Sequence, residues 1–174
     1  KTKSKYATAV ANNVFTNNGL QLKIWAKTYG EKPDDGRSLY ISMHGGGSIS
    51  ADGNDGQWEN QKNLYTPDEG VYVAPRAPWN EWNMWFKSGL DELFEQLIQA
   101  AVATWDVNPD KVYLMGYSAG GDGAYKMGPR MADRWAAASM MAGHPGEASQ
   151  VSLRNTPFMI WMGENDSAYD RNSL

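Results

Sequence analysis

Two glycine-framed segments hold the residues best suited to chemistry. The first is Gly116-Tyr117-Ser118-Ala119-Gly120, followed by Gly121, set between the apolar run Val112–Met115 and a helical stretch from Ala119. A strand that turns into a helix within about two residues holds its central serine in a strained conformation. Gly116 and Gly120 remove the Cβ atoms that would collide across so tight a turn. The Ser118 hydroxyl then stands above a helix N-terminus at the carboxyl end of a strand, where a serine nucleophile belongs. A Gly/Ser-rich turn is the alternative reading of the five residues alone. The second segment is His44-Gly45-Gly46-Gly47, directly after the short apolar run Leu39–Met43. Consecutive glycines let backbone N–H groups approach a substrate closely and point at developing negative charge. Losing one such donor slows acyl transfer about 100- to 1000-fold. A loop whose glycines merely permit a turn is the alternative here, and the pairing with Ser118 argues against it.

The elements that must carry these segments follow from hydrophobic periodicity. Leu20–Tyr29 alternates as a strand, with Leu20, Leu22, Ile24 and Ala26 on one face. Lys32–Gly36 is a turn cluster, Leu39–Met43 a short buried strand, and Ser50–Gly56 a polar, Gly-rich loop before a short helix over Gln57–Tyr65. Val71–Ala74 is another strand, stopped by Pro75 and Pro78. Asp91–Trp105 is the clearest helix, its Leu93, Leu97, Ala101 and Phe94, Ile98, Val102 forming one apolar stripe, with Ser88 and Asp91 spaced as a capping box. Val112–Met115 is a strand, Ala119–Met127 a helix, and Ala136–Met141 and Phe158–Met162 the last apolar runs. Short apolar strands alternating with helices predict a single α/β domain, its sheet mostly parallel and covered by helices on both faces.

Composition narrows the function. The 174 residues are 41% hydrophobic and 21% charged, a globular balance rather than that of a disordered chain or a coiled coil. The net charge of −4, with no basic cluster beyond Lys1, Lys3 and Lys5, argues against nucleic acid as a partner. Trp135–Gly143, the longest small-apolar stretch, falls far short of the roughly 20 residues of a membrane span. No signal-peptide pattern stands at the N-terminus. Absence of cysteine removes disulfides and thiolate chemistry. No His-x-x-x-His or Glu-x-x-His grouping, G-x-G-x-x-G or phosphate loop is present, so neither a metal hydrolase nor a nucleotide cofactor is indicated. Asp52-Gly53-Asn54-Asp55-Gly56 lacks the ligand spacing of a calcium loop and reads as an Asx-rich turn. The nine methionines read as core filler.

On these residues the chain resembles the α/β-hydrolase superfamily, closest to bacterial esterases of the polyhydroxybutyrate-depolymerase-like and feruloyl-esterase-like kind. The resemblance runs from about Arg37 to Asn172 and rests on four segments. They are His44–Gly47, Asn108-Pro109-Asp110-Lys111-Val112-Tyr113, Gly116–Gly121 and Gly163-Glu164-Asn165-Asp166. It implies that Ser118 is the nucleophile and that the N–H of Ala119, with that of Gly46 or Gly47, forms an oxyanion hole. The acid of the family follows a late strand, which places it at Asp166 after Phe158–Met162, with Glu164 and Asp170 as rivals in the same loop. No cofactor is implied, and the substrate is a small-molecule or polymer-linked ester.

The base does not fit this pattern. Family order is Ser, acid, His, and no histidine follows Asp166. His44 belongs to the glycine loop, where a loop-orienting role is favoured; His144 follows the Ala136–Met141 strand but precedes the acid. The resemblance therefore implies a C-terminally shortened hydrolase domain lacking the last helix–strand unit, which would leave Phe158–Met162 an apolar edge. A serine peptidase on the same fold is a rival, and so is a non-catalytic hydrolase-like module binding carbohydrate or aromatic ligands. Among the eight tryptophans, Trp79, Trp82 and Trp85 recur every three residues and would share one face of a helical turn. They are candidates for an aromatic substrate wall, with core or lid packing the alternative. High tryptophan and absent cysteine suit an exported bacterial protein; oligomeric state is not legible.

Overall fold

In the computed structural model, which describes residues 2–173, seven strands form one sheet flanked by four helices. The order along the chain is α1 (Thr2–Asn12), β1 (Val14–Asn17), β2 (Leu20–Tyr29), β3 (Arg37–Met43), α2 (Ala51–Lys62) and β4 (Gly70–Arg76). It continues with α3 (Leu90–Thr104), β5 (Val107–Tyr117), α4 (Ala119–Arg130), β6 (Ala137–Met141) and β7 (Phe158–Trp161). Across the sheet the strands run β1-β2-β4-β3-β5-β6-β7. The four pairings from β4 to β7 are parallel, whereas β1/β2 and β2/β4 are antiparallel, so the predicted mostly parallel α/β sheet carries an antiparallel flank. That flank turns on Asn18-Gly19, both at positive φ (49° and 81°), the two-residue hairpin whose twist matches its strands.

The parallel strands are buried runs. Every residue of β4 except Arg76 is buried, and Leu39, Ile41 and Met43 of β3 are fully so. α3 packs on β5 and β1, α2 on β4, and α4 on β5, β6 and β3. The predicted stripe on α3 is what it buries: Leu93, Phe94, Leu97 and Ala101 are inaccessible to solvent. Each such side chain contributes about 1.5–3 kcal/mol, so the sheet carrying the glycine segments is a rigid platform. No helix among the described residues is long and apolar enough to cross a membrane.

Several boundaries differ from the sequence reading. Ser50–Gly56 is not a loop: Ser50 caps α2 by accepting the Gly53 N–H at 3.1 Å, and Asp52–Gly56 lie inside the helix. Buried hydrogen bonds of Asn54 outweigh the poor helix propensity of Gly53 and Gly56. α2 then ends at Lys62, short of Tyr65. The residue before α3 is Gly89 at φ 93°, and Ser88 makes no cap. β4 continues through Pro75, which lies beyond the last residue paired to β3, where a missing donor is tolerated. β5 starts five residues early; a register shift opposite Arg37 and Leu39 absorbs Asn108–Lys111, with Asn108 Oδ1 accepting the Asp110 N–H at 2.9 Å. At the sheet's far edge β7 leaves Met159, Ile160 and Trp161 exposed.

Candidate active site

β5 ends at Tyr117 and α4 begins at Ala119, so Ser118 makes the whole turn between them at φ 55° and ψ −118°. A non-glycine residue there carries strain on the order of 1–3 kcal/mol, and it persists only where the surroundings over-determine it. Here the Ser118 N–H donates to Met141 O at 2.9 Å and its carbonyl accepts the Asp122 N–H at 3.0 Å. The flanking glycines are obligatory. A Cβ on Gly116 would lie 1.9 Å from Gly120 O, and one on Gly120 would lie 2.2 Å from Met43 O. The end of β3 and the start of α4 thus meet backbone to backbone, bringing the two glycine segments together. A Cβ on Gly45 would sit 3.2 Å from the Ser118 Cβ.

The His44–Gly47 loop is held from beneath. Asn54, fully buried on α2, accepts the Gly47 N–H at 2.9 Å and donates to Gly47 O at 2.9 Å. Gly46 and Gly47 stand at φ 105° and 111°, a region open to glycine. Of the two expected oxyanion donors, the Gly47 N–H is therefore already engaged. The Gly46 N–H makes no hydrogen bond within the described chain, and Ala119 opens α4, where the first N–H groups lack intrahelical partners. Both line the cleft beside Ser118.

His44 is structural. Its Nδ1 lies 2.6 Å from Gly45 O while Nε2 accepts the Ala77 N–H at 3.2 Å, which assigns the neutral Nδ1–H tautomer. Its carbonyl accepts the Trp85 indole N–H at 2.8 Å, and the two rings meet edge to face at 4.9 Å. Burial lowers the His44 pKa to about 4, against 6.5 when exposed. The unfolded chain then takes up a proton between pH 6.5 and 4 that the folded chain refuses. Stability should fall with pH across that window by roughly 3 kcal/mol and level off below it. Urea unfolding at pH 7.5, 5.5 and 4.5, with His44→Gln removing the slope attributable to this ring, checks the expectation.

The cleft has a volume of about 800 Å³. Ser118, Ala119, Gly46 and Trp82 all face it, whereas Trp79 and Trp85 do not line it. Residues 79–89 form successive turns, with Met84 N–H donating to Glu81 O and Phe86 N–H to Asn83 O, rather than one helix. The spacing of three therefore scatters the indoles: Trp82 is 64% exposed and Trp85 is wholly buried against His44. Trp79 packs part-buried on the core beneath the Lys87 ammonium.

His144 lines the cleft, but its Nδ1 accepts the Gly146 N–H at 2.8 Å, so in the neutral ring Nε2 bears the proton and is a donor. It makes no hydrogen bond to Ser118. Asp122, unremarked in the sequence, also lines the cleft; its Oδ1 accepts the His144 backbone N–H at 2.6 Å, and burial raises its carboxyl pKa. Asp166 lies in the turn after β7, accepting the Ala168 N–H at 3.1 Å. Its other oxygen is 3.6 Å from the guanidinium of Arg171, a residue that lines the cleft. Glu164 and Asp170 in the same loop are exposed.

No protein-family model matches this chain, and no curated protein matches it in sequence. Solved structures do match in fold. A thermostable esterase superposes with a TM-score of 0.69 at 19% identity, over 92% of this chain and 48% of that one. Acetyl xylan esterase from Aspergillus awamori gives 0.55 at 12%, over 75% and 51%. The enterobactin esterase of Shigella flexneri, in the presence of 2,3-dihydroxy-N-benzoyl-glycine, gives 0.52 at 16%, over 79% and 38%. This chain spans about half the length of the first two. The likeness shows the fold: the mostly parallel sheet and its helices superpose on those of these structures.

Proposed function

We propose that this chain carries the nucleophile and oxyanion hole of a serine hydrolase that cleaves carboxylic esters. The strained Ser118 at the strand–helix turn, with the unpaired N–H groups of Gly46 and Ala119 on the same cleft, is the observation that carries this reading. Ser118 Oγ attacks the ester carbonyl and the alcohol leaves with a proton. The developing oxyanion accepts from Gly46 and Ala119, and water then cleaves the acyl-enzyme. Asp166 orients the base, a histidine that this sequence does not carry after it. Both Asp166 oxygens face groups of this chain, so engaging an imidazole requires the 3.6 Å contact with Arg171 to open. Trp82 contributes an aromatic wall.

One observation favours the non-catalytic alternative: no imidazole of the described residues hydrogen-bonds Ser118. A fluorophosphonate probe separates the two readings. The expected result is a covalent adduct at Ser118, absent in Ser118→Ala, formed slowly by these 174 residues and about 10²–10⁴-fold faster where a positioned base is supplied by a longer chain. If the longer chain also stays unlabelled, the hydrolase reading is wrong and a binding module replaces it.

A further inference from the structure

The cleft lining is mixed in chemistry. Trp82 and Phe86 meet edge to face at 5.5 Å and, with the exposed Ile49, supply apolar surface. Lys126, His144 and Arg171 line the same cleft. Lys126 sits one helical turn beyond Asp122 on α4, a spacing that ordinarily forms an ion pair. Here the Asp122 Oδ1 is taken by the His144 N–H, and no carboxylate of the described residues comes within 4.0 Å of the Lys126 ammonium. Its Nζ instead lies beside Gly146 and 5.7 Å from the Phe86 ring centre. Arg171 stacks its guanidinium 5.2 Å from the centre of the Tyr169 ring but is weakly paired with carboxylates. Its side chain is 12% exposed, its one carboxylate contact is the 3.6 Å approach to Asp166, and its Nε is buried without any partner. His144 presents a donor at Nε2, because Gly146 occupies Nδ1. The opposing charges in the cleft are Asp122 and the exposed Glu147.

We infer that this cleft selects an ester whose apolar or aromatic body carries a carboxylate, with Lys126 as the principal cationic contact and Arg171 as the second. The inference rests on the cleft beside Ser118 being the substrate site, but its readout is binding and needs no turnover. Two ligands of one shape isolate the charge: 3-phenylpropionate and the neutral 3-phenylpropionamide, titrated calorimetrically into the 174-residue chain and into Ser118→Ala. The carboxylate should bind about five- to tenfold more tightly at low salt, as a half-buried ion pair permits. That margin should shrink below about twofold in Lys126→Met, with affinity for the amide unchanged. It should also shrink at about 0.5 M salt, where the Debye length falls to a few ångströms. Equal affinities for the two ligands would overturn the inference. So would a preference surviving in Lys126→Met/Arg171→Met, or no binding of either ligand at about 10 mM. A charge preference that persists while Ser118 resists fluorophosphonate in every form would discard the nucleophile and keep the anion site.

Discussion

Alanine at position 120 should cost this chain most of its stability. The added methyl would stand 2.2 Å from Met43 O, 2.7 Å from Met43 C and 2.9 Å from His44 O, all backbone atoms of β3 and the glycine loop. No rotamer change relieves a contact with main chain. Either α4 lifts off β3 or β3 leaves its place between β4 and β5, and each movement breaks close packing in the core. A loss of at least about 4 kcal/mol is expected, at the extreme of single-residue effects and comparable to the total stability of many domains. Gly56→Ala is the control, since glycine there lies inside α2 with nothing within 4 Å of a new Cβ. It should stabilise by about 0.5–1 kcal/mol through helix propensity and unfolded-state entropy. Urea unfolding of the pair reads both signs. Equal midpoints would mean that the backbone contact between α4 and β3 is not as tight as the geometry here requires.

The Gly116–Gly120 turn was legible in the sequence for a reason that lies at the strand–helix corner itself. Gly116 is demanded locally, since a Cβ there would strike Gly120 O across the corner, and a local demand leaves a local pattern. Gly120 is demanded by the distant β3 backbone and is read only through its fixed spacing from Gly116. The stripe on α3 was legible for the same reason, and the strand Leu20–Tyr29 falls where its alternation put it. Long-range demands left no such trace. Asn54 lies in a stretch of Asp, Asn and Gly that reads as a turn, and only the Gly47 backbone it meets reveals it as a buried helical residue. Trp85 shares its spacing with Trp79 and Trp82, yet its indole is committed to the His44 carbonyl. Nor does sequence tell which of the Gly46 and Gly47 N–H groups stays free, because Asn54, several residues downstream, decides it. Asp122 was passed over because nothing in the chain near it announces His144 as a partner. Strand β1, which pairs with β2, and the helix α1 preceding it were not read at all, since a four-residue strand and a helix of low amphipathicity carry little periodicity.

Asn54 also gives the second large effect, on both stability and the His44–Gly47 loop. Its amide donates to Gly47 O at 2.9 Å and to the carbonyls of Ile49 and Ser50 at 3.3 Å each, while its oxygen takes the Gly47 N–H. Truncation to alanine strands a buried N–H and a buried carbonyl at Gly47, each costing about 1–3 kcal/mol, so a loss of roughly 2–4 kcal/mol is expected. Freed from this anchor, the loop no longer holds Gly46 at the φ of 105° with which it lines the cleft. Where Ser118 is labelled by fluorophosphonate, the rate in Asn54→Ala should fall about 100-fold, as for a lost oxyanion donor. Aspartate is no substitute: it keeps the acceptor for Gly47 N–H but sets a carboxylate oxygen against Gly47 O. The origin of the effect can be isolated, because a Cβ on Gly46 would meet Asn54 Oδ1 at 2.4 Å. In Gly46→Ala/Asn54→Ala that collision is gone, so the double variant should be less destabilised than the sum of the singles by about 1 kcal/mol or more, the size typical of residues in contact. Release of the Gly46 backbone in the Asn54→Ala background also relieves alanine's strain at positive φ, which adds to the coupling with the same sign. Strict additivity would show that Asn54 does not pin the loop through this contact.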